Sequence, residues 1–128
     1  MNLLPYFWSV LDEDKSPIVI CDLNHTIIYM NPVACERYKK QGGYLLKGKN
    51  LLKCHNQKSR EMIEKIIAWF EESYDNNRVY TYHNDEENKD VYMVALRDES
   101  GDLIGYYEKH EYRNAENSER YDFGNHNA

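Results

Sequence analysis

The stretch LLKCHNQKS, residues 51–59, sets a thiol beside an imidazole at Cys54 and His55. Those groups could form a nucleophilic dyad or hold a metal. A dyad needs the imidazole to reach the sulfur. Adjacent side chains point to opposite faces of a strand and lie about 100° apart on a helix, so the pair is badly placed for it. A structural zinc site needs four ligands, and no second Cys/His pair follows at ligand spacing. The sequence therefore predicts neither an enzyme centre nor a metal site. The plainer expectation is that Asn56 or Ser59 caps the following helix, His55 hydrogen-bonds backbone at its start, and Cys54 acts as a small buried hydrophobe.

The elements that must position this pair can be read on both sides of it. SREMIEKIIAWFEESY carries Met62, Ile63, Ile66, Ile67, Phe70 and Tyr74 on one stripe, with Glu61 and Lys65 as an i,i+4 pair opposite. It predicts a long helix, about 22 Å, able to cross a small sheet. Upstream, SPIVICD and TIIYM read as strands joined by DLNH, with His25 tolerating a left-handed turn position. NPVACERYKKQGG predicts a helix capped by Asn31, opened by Pro32 and ended at Gly42-Gly43. YLLKGKNLLK offers single turns. Downstream, RVYTYHN, DVYMVALRD and DLIGYYEKHEY read as three strands, with Val91, Met93 and Ala95 on one face and Tyr92, Val94 and Leu96 on the other. The start is apolar at Leu3, Leu4, Phe7, Trp8 and Leu11, which predicts a short helix over residues 1–15 that covers the core, presents a dimer contact, or does both. Residues 113–128 are polar and unpatterned and read as a flexible tail. Segregated strands and helices imply an α+β domain with an antiparallel sheet.

Bulk properties narrow the function. The chain has 128 residues, 41% hydrophobic and 30% charged, the size and composition of one folded domain. No apolar run approaches the roughly 20 residues of a membrane span, and no signal peptide is evident, which predicts a cytoplasmic protein. A net charge of −6 without a basic cluster speaks against nucleic acid and anionic membranes as partners. Cys21, Cys35 and Cys54 form no CxxC and read as free thiols.

Taken in order, SPIVICDLNHTIIYMNPVACERY, LLKGKNLL, the long helix and RDESGDLIGY resemble the PAS domain family over residues 16–112. The shared features are an aspartate-led turn between two strands, an Asn-Pro helix start, an Arg-Asp-x-x-Gly hairpin and a glycine in the last strand. His25 stands where that turn usually has glycine. The resemblance implies a five-stranded antiparallel sheet in order 2-1-5-4-3 with helices on one face. It implies a non-enzymatic sensor or signalling module with a small ligand or cofactor held between sheet and long helix. Cys54, His55, Met62, Ile66, Met93 and Tyr107 are then the expected pocket residues, Tyr107 pointing inward. The output would pass through a homodimer or a partner signalling protein.

The resemblance also frames the cofactor question. Flavin-binding PAS domains carry cysteine within Gly-x-Asn-Cys-Arg and glutamine in the last strand; here Leu51 follows Asn50 and Tyr107 replaces the glutamine, so flavin is not expected. Oxygen-sensing relatives place histidine inside the long helix, where this chain has Arg60, Glu61 and Met62. Haem would need His55, Cys54 or Met62 as axial ligand. The pair is similar to a Cys-His-Pro stretch of PAS domains joined to haemerythrin-like proteins, with Asn56 in place of proline. The remaining alternative is a pure interaction module whose interior is filled and whose outer sheet face, bearing Tyr92, Leu96, Ile104 and Tyr106, packs on the N-terminal helix or a second copy.

Overall fold

The computed structural model describes residues 1–124. Helix α1 spans Leu4–Asp12, strands β1 and β2 span Val19–Asp22 and Ile27–Met30, and α2 spans Pro32–Arg37. Three single 3-10 turns follow at Lys39–Gln41, Gly43–Leu46 and Leu51–Cys54. Then come α3, Gln57–Glu72, and strands β3, Arg78–Asn84, β4, Lys89–Arg97, and β5, Leu103–Tyr112. The sheet is antiparallel with strand order β2-β1-β5-β4-β3. This is the order the resemblance implies.

Local chemistry explains the boundaries. Asp22 Oδ1 accepts from the Asn24 and Thr26 amides, which closes the β1–β2 turn, and His25 takes the left-handed position at φ 65°. Asn31 caps α2 by accepting from the Ala34 amide, with Pro32 in the first turn. The helix predicted to Gly42 is α-helical only to Arg37 and tightens to 3-10 before Gly42 reverses the chain at φ 129°. Asn56 caps α3 through the Ser59 amide. At Gly105 an added Cβ would collide with the Cys21 carbonyl oxygen, so only glycine lets β5 pair with β1 here.

One layer of helix covers one face of the sheet. Ile63, Ile66, Ile67 and Phe70 of α3 pack with Cys21, Ile27, Met93 and Tyr106 in a single buried cluster. Side-chain alternation puts Met93, Tyr106, Glu108 and His110 on this inner face, while Tyr92, Val94 and Tyr107 take the outer one. The outer face of β3–β5 is aromatic and charged: Tyr80 and Tyr92 lie 5.4 Å apart, Arg78 sits 4.1 Å over Tyr92, and Asp90 binds Arg113 at 2.7 Å.

Two expectations change at the ends. Helix α1 buries none of its residues; Phe7 is 59% exposed and Val10 69%. None of its side chains joins the buried cluster that α3 forms with the sheet. It touches the domain mainly where Trp8 meets the Tyr29 ring edge-on and Asp12 accepts from the Tyr29 hydroxyl at 2.5 Å. Its C-terminal end is held by Asn31, whose buried amide donates to the carbonyls of Leu11, Asp14 and Ser16. Residues 113–124 form no helix or strand, but Arg113 is tied down by Asn88 O, Asp90, Glu111 and Tyr92. The last four residues of the predicted tail lie outside the described residues.

Candidate functional site: a cavity between α3 and the sheet

Between α3 and the inner sheet face lies a cavity of about 240 Å³. Val19, Cys21, Ile27, Ile63, Met93 and Leu51 supply apolar wall; Tyr38, Gln41, Glu108 and His110 supply polar groups on the α2 and β5 side. A cavity of this kind, mostly apolar with a few convergent polar groups, is the usual form of a small-molecule site. It is smaller than the roughly 300–1,000 Å³ of typical ligand pockets, so it has room only for a small molecule.

The structure sorts the expected residues. Cys54, His55 and Met93 line the cavity. Cys54 is exposed rather than buried, because its 3-10 turn directs Leu51 and Leu52 to the core instead. His55 is also exposed, and its Nδ1 donates to the Leu51 carbonyl at 2.9 Å. Ile66 lies in the core cluster but not on the cavity wall, one turn beyond Ile63, which is. Met62 is 48% exposed on the flank of the buried stripe and does not reach the cavity.

Tyr107 does not point inward. It pairs with Ile20 and Val94 on the outer face, and its neighbour Tyr106, 1% exposed, takes the inward place opposite Cys21 and Ala95. The same register removes Tyr106 from the outer face, where the interaction-module reading placed it. The interior is not filled, as that reading also required.

Sequence reasoning missed Tyr106, Glu108 and His110. The signal was available: Met93 faces the long helix, and antiparallel register carries its face across to every second residue of β5. The polar character of Glu108 and His110 hides it.

The electrostatics are set by burial. Tyr106 Oη lies 2.8 Å from His25 Nδ1 and also reaches the Cys21 thiol. Burial pushes the Cys21 thiol up to about 11, an effect the Asp22 charge adds to and the Tyr106 hydrogen bond reduces. Burial likewise raises the Tyr106 phenol, with Cys21 and Asp22 adding to it. Tyr38 is raised by burial first and by the nearby Glu108 charge second. His110 Nε2 contacts Glu108 Oε1 at 3.1 Å.

The residues present do not fit haem. The cavity is below ordinary cofactor size, Met62 faces away, and Cys54 and His55 stand at the rim. Among the described residues, no group of three or more His, Cys, Asp or Glu is arranged to hold a metal ion, and no helix is long and apolar enough to cross a membrane.

Comparison of the sequence with protein-family models and with curated proteins gives no match. Solved structures do resemble the chain. The PAS domain of a Colwellia psychrerythraea protein superposes with TM-score 0.63 at 16% identity, covering 88% of this chain and 98% of that one. The PAS domain of the fruit-fly ELK potassium channel gives TM-score 0.57 at 13% identity, with the same two coverages. A C-terminal domain from Streptococcus mutans gives TM-score 0.63 at 20% identity, covering 85% and 84%. The chain has the PAS fold.

Proposed function

We propose that this PAS-fold chain is a non-enzymatic sensor module that binds a small ligand in the cavity between α3 and the sheet and passes its occupancy to a second protein surface. The observation that carries the reading is the cavity itself: an apolar chamber walled by Ile63 and Met93 with Tyr38, Glu108 and His110 at one side. Chambers of this make-up hold small molecules, and proteins of this fold are generally sensory rather than catalytic. Helix α1 is the surface that reads it. Its apolar face is free, and its base is fixed to the sheet through Asn31 and Tyr29. A homodimer or a partner signalling protein docks there. Signalling requires that the ligand bind one packing arrangement better than the other, since equal affinity would shift nothing.

Native mass spectrometry of the chain purified from cell lysate tests this reading. The expected result is a small-molecule adduct that disappears in Met93→Trp, where the indole fills the cavity. A chain without adduct, whose amide NMR spectrum also ignores small aromatic and aliphatic probes, would end the proposal.

A further inference from the structure

Resting on the ligand-cavity reading above, we propose that the cavity selects a small molecule with a hydrogen-bond-donating head, a primary amine on a body about the size of one aromatic ring, and rejects carboxylates. The wall contains one carboxylate, Glu108, and neither lysine nor arginine. Among the described residues Glu108 has His110 as its ion-pairing partner, and that imidazole compensates the charge only when protonated. The nearby guanidinium of Arg37 is engaged elsewhere, 2.9 Å from Glu87. With the His110 ring neutral, an incoming ammonium meets a carboxylate that no cation of the wall compensates, while an incoming anion meets repulsion in a half-dry chamber.

A second observation concerns the other member of the same pair. His110 is 6% exposed, and its Nδ1 is buried without a hydrogen-bond partner among the described residues. The contact from Nε2 to a carboxylate requires the proton on Nε2. In the neutral ring Nδ1 is then an acceptor lacking a donor, which a native site seldom leaves unfilled. Nδ1 is closed off from water in this geometry, so of the two groups Glu108 is the one an occupant meets directly. Tyr38 and Gln41 add flexible acceptors beside them. The body size follows from the chamber: a dry cavity of about 150 Å³ holds benzene, and this one measures about 240 Å³. Glu108 keeps 41% of its side chain exposed, so the head stays partly hydrated while the ring is buried.

Titration of the full chain with phenethylamine, 2-phenylethanol and phenylacetate, followed by amide NMR, tests the inference. The amine is expected to bind about tenfold or more tightly than the alcohol, with the carboxylate weakest. Glu108→Gln should erase the amine's advantage and leave the alcohol's affinity unchanged, which also shows that the variant is folded. Equal or tighter binding of phenylacetate or phenylethanol overturns the donor-head inference and leaves the ligand-cavity reading standing. An amine preference that survives Glu108→Gln also overturns it. Binding of none of the three up to millimolar concentration overturns the donor-head inference, and the ligand-cavity reading falls with it only if the purified chain also carries no adduct.

Discussion

Arg97 donates from Nη2 to the carbonyl oxygen of Phe70 at 2.7 Å, which ties the end of β4 to the last turn of α3. The same nitrogen reaches the carbonyls of Ser73 at 3.0 Å and Asn76 at 3.2 Å, and Nε donates to Asn77 Oδ1 at 2.6 Å. A helix end leaves such carbonyls unpaired, and one planar guanidinium serves several of them at once. Arg97→Ala should lower stability by about 2–3 kcal/mol in urea unfolding. Arg97→Lys should recover less than half of that, since an ammonium cannot also supply the Nε bond to Asn77 and the Nη1 bond to the Gly101 carbonyl. An alanine variant with an unchanged midpoint would show that the clamp contributes nothing.

Asn31 is fully buried and uses its whole amide. Its oxygen accepts from the Ile18 and Ala34 amides while its nitrogen donates to Leu11, Asp14 and Ser16. Asn31→Ala leaves these backbone groups without partners and should cost about 2–4 kcal/mol. Hydrogen exchange should also quicken at Ile18 and Ala34. Protection that persists at both amides would contradict this account.

Asp90 sets part of the acid limb. Arg113 first, then His83 and Tyr80, hold its carboxyl at about 2, below the ordinary value of 3.8. A depressed folded pKa gives stabilisation that is present above the unfolded value and disappears as pH falls through the folded one. Stability should therefore decline from about pH 4 towards pH 2, and Asp90→Asn should flatten that decline. Parallel acid-unfolding curves for the two proteins would exclude the assignment.

The thiols should separate by reactivity. Cys54 is exposed, Cys35 intermediate and Cys21 buried, with the Cys21 thiol pushed up to about 11. At pH 8 less than about 1% of Cys21 is thiolate. A disulfide reagent should label Cys54 first and spare Cys21 until the chain is unfolded. Peptide mapping that finds Cys21 modified as fast as Cys54 would mean that the cavity opens far more than its geometry shows.

Helix α1 can be tested without truncation. Phe7 and Val10 are exposed and make no core contact. Phe7→Glu with Val10→Glu should therefore leave the melting temperature within about 2 °C, yet shift light-scattering mass from dimer to monomer if α1 joins two copies. A wild-type monomer, or a variant dimer, removes the self-association role and leaves a different protein as the partner.

Much of the fold was legible because its signals are local. The Asp22 turn, the Asn31 cap, the α3 stripe and the β3–β5 alternation each depend on a few neighbouring residues. Cavity membership was less so. Cys54, His55 and Met93 were readable, but Tyr106 against Tyr107 depends on how β5 registers with β1, a relation between distant segments. Two adjacent tyrosines carry no pattern that chooses between faces. Met62 misled because it begins the apolar stripe of α3, while the buried arc is centred on Ile63, Ile66, Ile67 and Phe70. Helix α1 misled in the opposite sense: its amphipathic spacing says that an apolar face exists, and says nothing about what meets it.

The strand order has a consequence for how the chamber is closed. β1 and β4 are not neighbours in the sheet; β5, its last strand in chain order, lies between them. Without residues 103–112 the β1–β2 and β3–β4 hairpins have no strand to join them into one sheet beneath α3. Glu108, His110 and Tyr106 are themselves carried by that final strand. The chamber is therefore closed only once β5 lies between the two hairpins and adds Tyr106, Glu108 and His110 to the wall residues that precede it in the chain.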